Sequence, residues 1–547
     1  MKFTRRFTAL GILACSIAIG SARRASAGGV VTDCGDDAAL SSALLGGGTV
    51  SFDCSGTHQP ATIDLRSTQT ISGDVHIDGG GKITLTGEGS LRLFYVNQNA
   101  KLFLENVALA RGFSRDDGGA IYNAGLLTLV GTTIVDSTAQ GNGGAIATAG
   151  PVNMTGGGLA RNVATAGGAL SAGGFGARVT IVGSALTGNR ALTSNGRNGK
   201  GGAVYASTGA NVAVNLSEVS GNHADETGGG ISIDGNAAAG LTASSVHHND
   251  AAAGAGIMNL LGTLTMSMST VSQNTASVTG GGIKNESGLA FLTNVTISGN
   301  RALGGGGFYN YNAQSSLTNV TIANNGATNV GGGITNSSFG TPHLTMRNVL
   351  FVRNAQGGNC FLGADPDASF FNLSTDGTCG LGVFRDNVAV TLGELETNGG
   401  ATLTHRLPPG SAAIDAGTIG GCPSGDQRAA ARYYLHSCDV GAVEFVACAG
   451  APPAPTLLTP LDKEVRTLSD VVFDWSGPDC ASGFDIVIRR GSKTGRIVHS
   501  FGGIWPNTQF SISDLPRGRK YFWQVTACNA AGCTAGAWRS FKITRKP

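Results

Sequence analysis

Between Gly118 and Asn354 the chain repeats one arrangement of apolar and polar positions. A glycine step closes on an apolar residue at Ile121, Ile146, Leu170, Val204, Ile231, Ile257, Ile283, Phe308 and Ile334, in segments such as GGAIYN, GGAVYA and GGGFYN. Successive steps lie 24–27 residues apart, except one of 34 between Leu170 and Val204. A second signature, an apolar residue three before an asparagine, falls at Asn162, Asn189, Asn222, Asn249, Asn274, Asn300, Asn325 and Asn354, with Ser137 in the first copy. A period of this length predicts a solenoid, in which each repeat packs only on its neighbours.

Short strands with alternating inward and outward residues should make up each coil, with glycines at the turns. Coils about 4.8 Å apart would then stack equivalent residues in columns. Ile231, Ile257, Ile283, Phe308 and Ile334 form an expected inward ladder, and Asn259, Asn285, Asn310 and Asn336 an expected amide ladder whose members satisfy one another. The expected fold is therefore all-β, a parallel β-helix over residues 113–354. Residues 28–112 read as an N-terminal cap and first coils, in which the stretch DDAALSSALLGGG predicts a helix. Asp36 or Asp37 can cap its start and Gly46 can close it, placing the helix over the open apolar end of the stack.

The pattern changes near the C-terminus. ACAGAPPAPT, within 447–456, is a linker by composition, and from Leu457 to Pro547 single short strands such as VVFDW, FDIVIR and YFWQVTAC predict a small β-sandwich. Charged residues are only 13% of the chain and there are 87 glycines, yet the phased apolar positions exclude disorder.

Met1 to Ala27 reads as an export signal, with Lys2, Arg5 and Arg6, an apolar run and Ala25-Ser26-Ala27, so the mature chain is expected to begin at Gly28. Two further readings stay open, a twin-arginine signal at TRRF and lipidation of Cys15 after ILAC. Ten cysteines remain beyond Cys15, an even number that suits an oxidising, extracellular or cell-surface address. Proximity pairs Cys34 with Cys54, Cys360 with Cys379, Cys422 with Cys438, Cys448 with Cys480, and Cys528 with Cys533. No CxxC spacing occurs, so neither a metal nor another cofactor is expected.

Three resemblances follow from these motifs. The GG[AG][ILV] step with the apolar-x-x-Asn step resembles the repeats of polymorphic outer-membrane proteins, which implies a right-handed parallel β-helix of the pectin-lyase type. Over 355–446, the segments GGNCF, FNLSTDGTC, ETNGGATLTHRLPPGSAAIDAG, CPSGDQR and CDVGAVE are similar to the choice-of-anchor (type Q) segment that closes many secreted bacterial β-helices. The match departs at Ala429 and Tyr433, where that pattern has glycine and proline. Finally, LPRGRKYFWQVTACNAAG resembles a fibronectin type III domain, which implies Tyr521 as a tyrosine corner and Trp475 as a core tryptophan.

Little in the repeats promises chemistry. Seven carboxylates lie between Gly118 and Gly340: Asp136, Glu218, Asp225, Glu226, Asp234, Asp250 and Glu286. Asp234 and Glu286 share a repeat position, with Leu260 between them, about 10 Å apart and at the edge of the inverting-glycosidase range. His223 should stack over Asp250 in a column with Arg190, Thr275 and Arg301, best read as surface ion pairing. In the closing segment, Asp415, Asp426, Arg428, Asp439 and Glu444 read as a structural cap of ion pairs.

Candidate ligand contacts are Tyr309 and Tyr311 on the rod, Tyr309 also being placed to stack on Lys284. On the C-terminal module they are Arg489, Arg490, Lys493 and Trp505. Formal charge divides as −9 over residues 28–456 and +6 over 457–547, which points the module at anionic polysaccharide or envelope surfaces. Neither a nucleic-acid partner nor a transmembrane segment in the mature chain is expected. The sequence thus reads as an exported, non-catalytic, adhesin-like scaffold, with a polysaccharide lyase or glycoside hydrolase as the alternative. It carries no signal for oligomeric state.

Overall fold

The computed structural model describes residues 28–544 apart from 46, 55–59, 195, 197, 419–420, 433–436, 447–449, 479–480, 482, 505–508 and 530–531. Residues 45–379 and their flanks form the expected parallel β-helix, built from a 23-stranded, a 12-stranded and a nine-stranded sheet. One coil shows the plan: Ile231–Asp234 lies in the 12-stranded sheet, Ala238–Thr242 and Ser245–His247 in the largest, and Asp250–Ala253 in the third. Parallel register carries each residue onto its counterpart one coil away, as in Ile231 on Ile257 and Ile257 on Ile283.

The glycine step has two distinct causes, visible at Gly201-Gly202. Gly201 sits at φ +67, a left-handed turn that side chains disfavour. At Gly202 the next coil comes so close that a Cβ would run into the Gly229 carbonyl. After the turn the apolar residue points inward, and Ile231, Ile257, Ile283, Phe308 and Ile334 are all fully buried in one core that runs from Val31 to Cys379.

The asparagine signature is a second ladder, along the edge of this core. From Asn162 to Asn354 each Nδ2 donates to the Oδ1 of the next asparagine at 2.9–3.0 Å. The same Nδ2 also donates backwards to a backbone carbonyl, as Asn249 does to Val219 at 3.0 Å. Ser137, the departing first copy, keeps the edge paired, because its Oγ accepts from Gly112 N at 3.1 Å and its own N–H reaches Asn162. The predicted Asn259 to Asn336 ladder also forms, at 2.7, 3.5 and 2.9 Å, its middle step slackened by Ser315 taking part.

Helix Asp37–Leu44 covers the N-terminal end, with Leu40 buried in the core, Asp36 accepting from Ala38 N and Asp37 accepting from Arg66 N. Gly46 lies outside the described residues. The closing segment departs from expectation. Beyond the coil sealed by the Cys360–Cys379 disulfide, it folds back along the flank of the rod rather than over its end. Its Thr402, His405, Gln427 and Arg432 bond Met268, Ser298, Thr296 and Asn294 across more than 100 residues of chain. Asn319, whose backbone turns left-handed at the rod's corner, donates to the carbonyls of Asp439 and Gly441.

The C-terminal module is a small β-sandwich of a three-stranded sheet and a six-stranded sheet around its own core. Trp475 and Tyr521 are fully buried there, and Tyr521 Oη donates to the Pro516 carbonyl at 2.7 Å. Buried Arg406 of the closing segment lies 5.3 Å from the ring of Phe484, joining segment to module. Disulfides link Cys34–Cys54, Cys360–Cys379, Cys422–Cys438 and Cys528–Cys533, as proximity predicts. The Cys448–Cys480 pairing falls outside the described residues.

Candidate functional site

The carboxylates of the rod are engaged coil by coil. Asp234 and Glu286 do flank Leu260 in register, but Asp234 bonds Lys200 at 2.9 Å and Glu286 bonds Lys284 at 2.7 Å. Asp136 pairs with Arg161 one coil on at 2.7 Å. His223 stacks on Asp250 as expected and bonds it, and Asp225, just past the His223–Ala224 strand, adds a second carboxylate at 2.9 Å. Burial opposes a proton on His223, yet the two carboxylates outweigh it and raise its pKa. Asp225 in turn accepts from Thr193 N at 2.6 Å, pinning the insertion that makes the one long repeat. The result is a latch for a loop, with both carboxylates turned toward one imidazole.

The buried polar cluster of the closing segment has the same character. Arg428 bonds Asp426 at 2.7 Å and Arg432 bonds Glu444 at 2.6 Å, all four side chains within a few per cent of complete burial. Burial and the neighbouring Glu444 push the Asp439 carboxyl up to about 7, while its oxygens accept from the backbone of Asp415 and Phe445. The four paired side chains are turned into protein and fasten the segment, whereas Asp415, expected in the same cap, contributes its backbone N–H and has an exposed side chain. Ala429 occupies a left-handed turn at φ +65, where a side chain is disfavoured and glycine would be at ease.

Two concave places stand out on the rod. The first is a cleft of about 560 Å3 where the edge at Ala401 and Leu403 meets the open flank, lined by Ser184, Ser217, Glu218, His247, His248 and Gln273. His247 Nε2 lies 3.2 Å from Glu218 Oε1, and burial, with His248 beside it, lowers the His247 pKa. Sequence reading missed this pair because its wall is supplied by residues more than 150 positions downstream. The second is an apolar slot of about 320 Å3 that contains Tyr309 together with Leu303, Val330, Phe339 and Phe361. Tyr309 also lies under Lys284, whose Nζ is 5.9 Å from its ring. Tyr311 faces outward beside Glu286 in register and does not line the slot.

Phe339 and Phe361 were missed too, although for Phe361 a signal existed. Position one past each closing apolar residue forms a single column, which passes through Tyr309, buried Thr335 and exposed Phe361 at this end. At the other end Tyr95 and Tyr122 stack in it at 5.0 Å with Arg92 against both rings.

On the module, strand alternation separates the basic residues. In Gly483–Arg490, Arg490 lies in register with buried Tyr521, whereas Arg489 lies in register with Phe522 on the outer face and donates to the Gly495 carbonyl at 3.0 Å. Lys493 is exposed in the hairpin turn, and Trp505 lies outside the described residues. Arg489 and Arg490 therefore lie on opposite faces of the strand, and Arg489 reaches the turn that carries Lys493. Among the described residues no group of three His, Cys, Asp or Glu side chains is placed to hold a metal ion, and no helix is long and apolar enough to cross a membrane. No protein-family model matches the chain, and no curated protein matches it.

Proposed function

We propose that this protein is an exported, non-catalytic β-helix scaffold that binds polysaccharide at a cell or envelope surface, in the manner of an adhesin. The observation that carries the reading is the pairing of the rod's carboxylates. Of the seven in the repeats, Asp136, Glu218, Asp225, Asp234, Asp250 and Glu286 each bond a histidine, lysine or arginine. A glycosidase needs two carboxylates facing one bond, with one free to act as acid. An array turned toward its own cations suits holding rather than cleaving. The four disulfides fit an oxidising compartment. The motif resemblances to polymorphic outer-membrane repeats and a choice-of-anchor segment support surface placement, and the buried Tyr521 corner supports a fibronectin type III-like module.

The second reading, a carbohydrate-active enzyme, has one observation in its favour. Glu218 and the low-pKa His247 face the flank cleft as an acid/base pair. One experiment separates the two: residues 28–547 incubated with neutral and acidic glycans. The scaffold reading expects glycan retention without new reducing ends or unsaturated products. Cleavage that disappears in His247→Ala would establish the enzyme instead.

A further inference from the structure

The outer face of the module's six-stranded sheet gathers cations that strand pairing ordinarily keeps apart. Its middle strand, Lys520–Asn529, alternates so that Lys520 and Phe522 face out while Tyr521 and Trp523 are buried. On one side Lys542 of Arg539–Ile543 stands directly opposite Lys520, and on the other Arg489 of Gly483–Arg490 stands opposite Phe522. Like charges directly opposite on antiparallel strands, about 5 Å apart at Cβ, destabilise the pair. Lys520 is also held in place, its Nζ 4.9 Å from the centre of the Phe522 ring, and Arg489 is fixed by its bond to the Gly495 carbonyl at 3.0 Å. No carboxylate relieves this arrangement. Glu464 bonds Arg466 at 3.1 Å, and Asp462 accepts from Ser540 N and Oγ at 2.8 and 3.1 Å. Among the described residues no acidic side chain pairs with Lys520, Lys542 or Arg489, and Lys493 adds an exposed cation in the turn beyond Arg489.

This is the reverse of the rod, where carboxylates bond cations coil by coil. Fixed cations that repel one another and have no acid of their own favour an anion from outside. Apolar side chains interleave with them on the same face. Val465, 63% exposed, lies in register with Lys542, and Ile497, 46% exposed, in register with Arg489. A bare polyanion such as polyphosphate leaves that apolar surface wet, whereas a uronate chain lays the C–H faces of its rings on it and its carboxylates against the cations. Adjacent strands lie about 4.8 Å apart, close to the length of one pyranose unit, so a chain crossing the strands brings about one sugar to each. We infer that this face binds a uronate-bearing polysaccharide, its carboxylates held by Lys520, Lys542 and Arg489. This rests on the polysaccharide-binding reading above and names the sugar class and the residues that meet it.

The test titrates residues 28–547 with oligogalacturonate by calorimetry, with its methyl ester, polyphosphate and phosphatidylglycerol vesicles as comparators. The acid oligomer should bind, and about tenfold more weakly when NaCl rises from about 50 to about 500 mM. The methyl ester, which keeps the backbone and loses the charge, should bind at least about tenfold more weakly, and so should polyphosphate and the vesicles. Lys542→Glu acts in two opposite directions. It turns the repulsive pair with Lys520 into an attractive one, so the module's melting temperature should rise, read from the four tryptophans, all of which lie in the module. Binding should nevertheless fall about tenfold, as it should in Lys520→Gln, while Arg178→Glu at an exposed position of the rod leaves it unchanged. Equal binding of the ester, polyphosphate or vesicles overturns the assignment. So does full binding by either lysine variant, or a loss of binding that appears only with a lower melting temperature. Failure to bind oligogalacturonate while other polysaccharides are retained defeats this inference alone, whereas failure to retain any glycan defeats the function as well.

Discussion

Replacing Asn249 by alanine removes one rung from the buried ladder and tests whether the repeat asparagines hold the rod together. Its Oδ1 accepts from Asn222 N and from Asn222 Nδ2, both at 2.9 Å, and its Nδ2 donates to the Val219 carbonyl at 3.0 Å. Asn274 Oδ1 keeps one partner, because the backbone N–H of residue 249 reaches it at 2.9 Å. Three buried groups on the neighbouring coil are thus orphaned: an amide N–H, one side-chain N–H and a carbonyl. At 1–3 kcal/mol for each, tempered by partial relaxation, Asn249→Ala should cost about 3–6 kcal/mol. Asn249→Asp supplies a second reading of the same site. It preserves both accepted bonds but sets a carboxylate against the Val219 carbonyl and Asn274 Oδ1 in a position only 1% exposed. Burial there favours the protonated acid, so this variant should be more stable at pH 4 than at pH 7 relative to the parent. Urea unfolding of residues 28–547 followed by circular dichroism measures both, with exposed Asn211→Ala as the control. A loss below 1 kcal/mol for Asn249→Ala, or an Asn249→Asp penalty independent of pH, would refute the ladder's structural role.

Three further expectations follow from single contacts. His405 is fully buried with Nδ1 donating to the Gly393 carbonyl at 2.7 Å and Nε2 accepting from Ser298 Oγ at 2.9 Å, and burial lowers its pKa to about 4. The unfolded chain takes that proton near 6.5 and the folded chain only near 4, so stability falls as pH drops through this window, by about 2 kcal/mol at pH 5; melting curves at pH 7.5 and 5 should differ less in His405→Gln. Cutting the Cys360–Cys379 link, which spans 19 residues and seals the last coil, should cost about 3 kcal/mol. Limited proteolysis of Cys360→Ser/Cys379→Ser should then begin in residues 355–390. Tyr521→Phe loses the bond to the Pro516 carbonyl and should lower the module's melting stability by about 1 kcal/mol, without changing any property of the rod.

The rod was legible because its forces are periodic. Ile231 and Ile257 occupy equivalent places at equivalent spacing, so one turn's chemistry announces the next, and the same logic placed His223 on Asp250. Local proximity likewise sufficed for Cys360–Cys379 and Cys528–Cys533. The closing segment obeys no period. Gln427 reaches Thr270 across 157 residues and Thr402 reaches Met268 across 134. Nothing in either local sequence points to the other, so the segment's route along the flank, and the Glu218–His247 cleft that its edge encloses, had no local signature. The C-terminal module shows the limit of adjacency: Arg489 and Arg490 are neighbours in sequence, but a strand sends them to opposite faces.

The same contrast says where function can reside on such a rod. Wherever every coil carries the same residue, stacking dictates its identity, as with the fully buried Asn222, Asn274 and Asn300. Recognition has to use positions where stacking is satisfied in more than one way, which are the outward columns and the turns. In the column one past the closing apolar residue, Ala147 and Ser171 keep the surface low, whereas Tyr309 and Phe361 rise on either side of Thr335. The slot's overhanging Phe339 comes from residues 337–342, a turn longer than its neighbours, as the 192–199 insertion is on the His223 face. A break in a column and an enlarged turn can change their side chains without disturbing either ladder. So strict a repeat can therefore carry exposed apolar side chains such as Leu303 and Phe339 at its turns, while the buried Ala302 beside Leu303 remains a matter of packing.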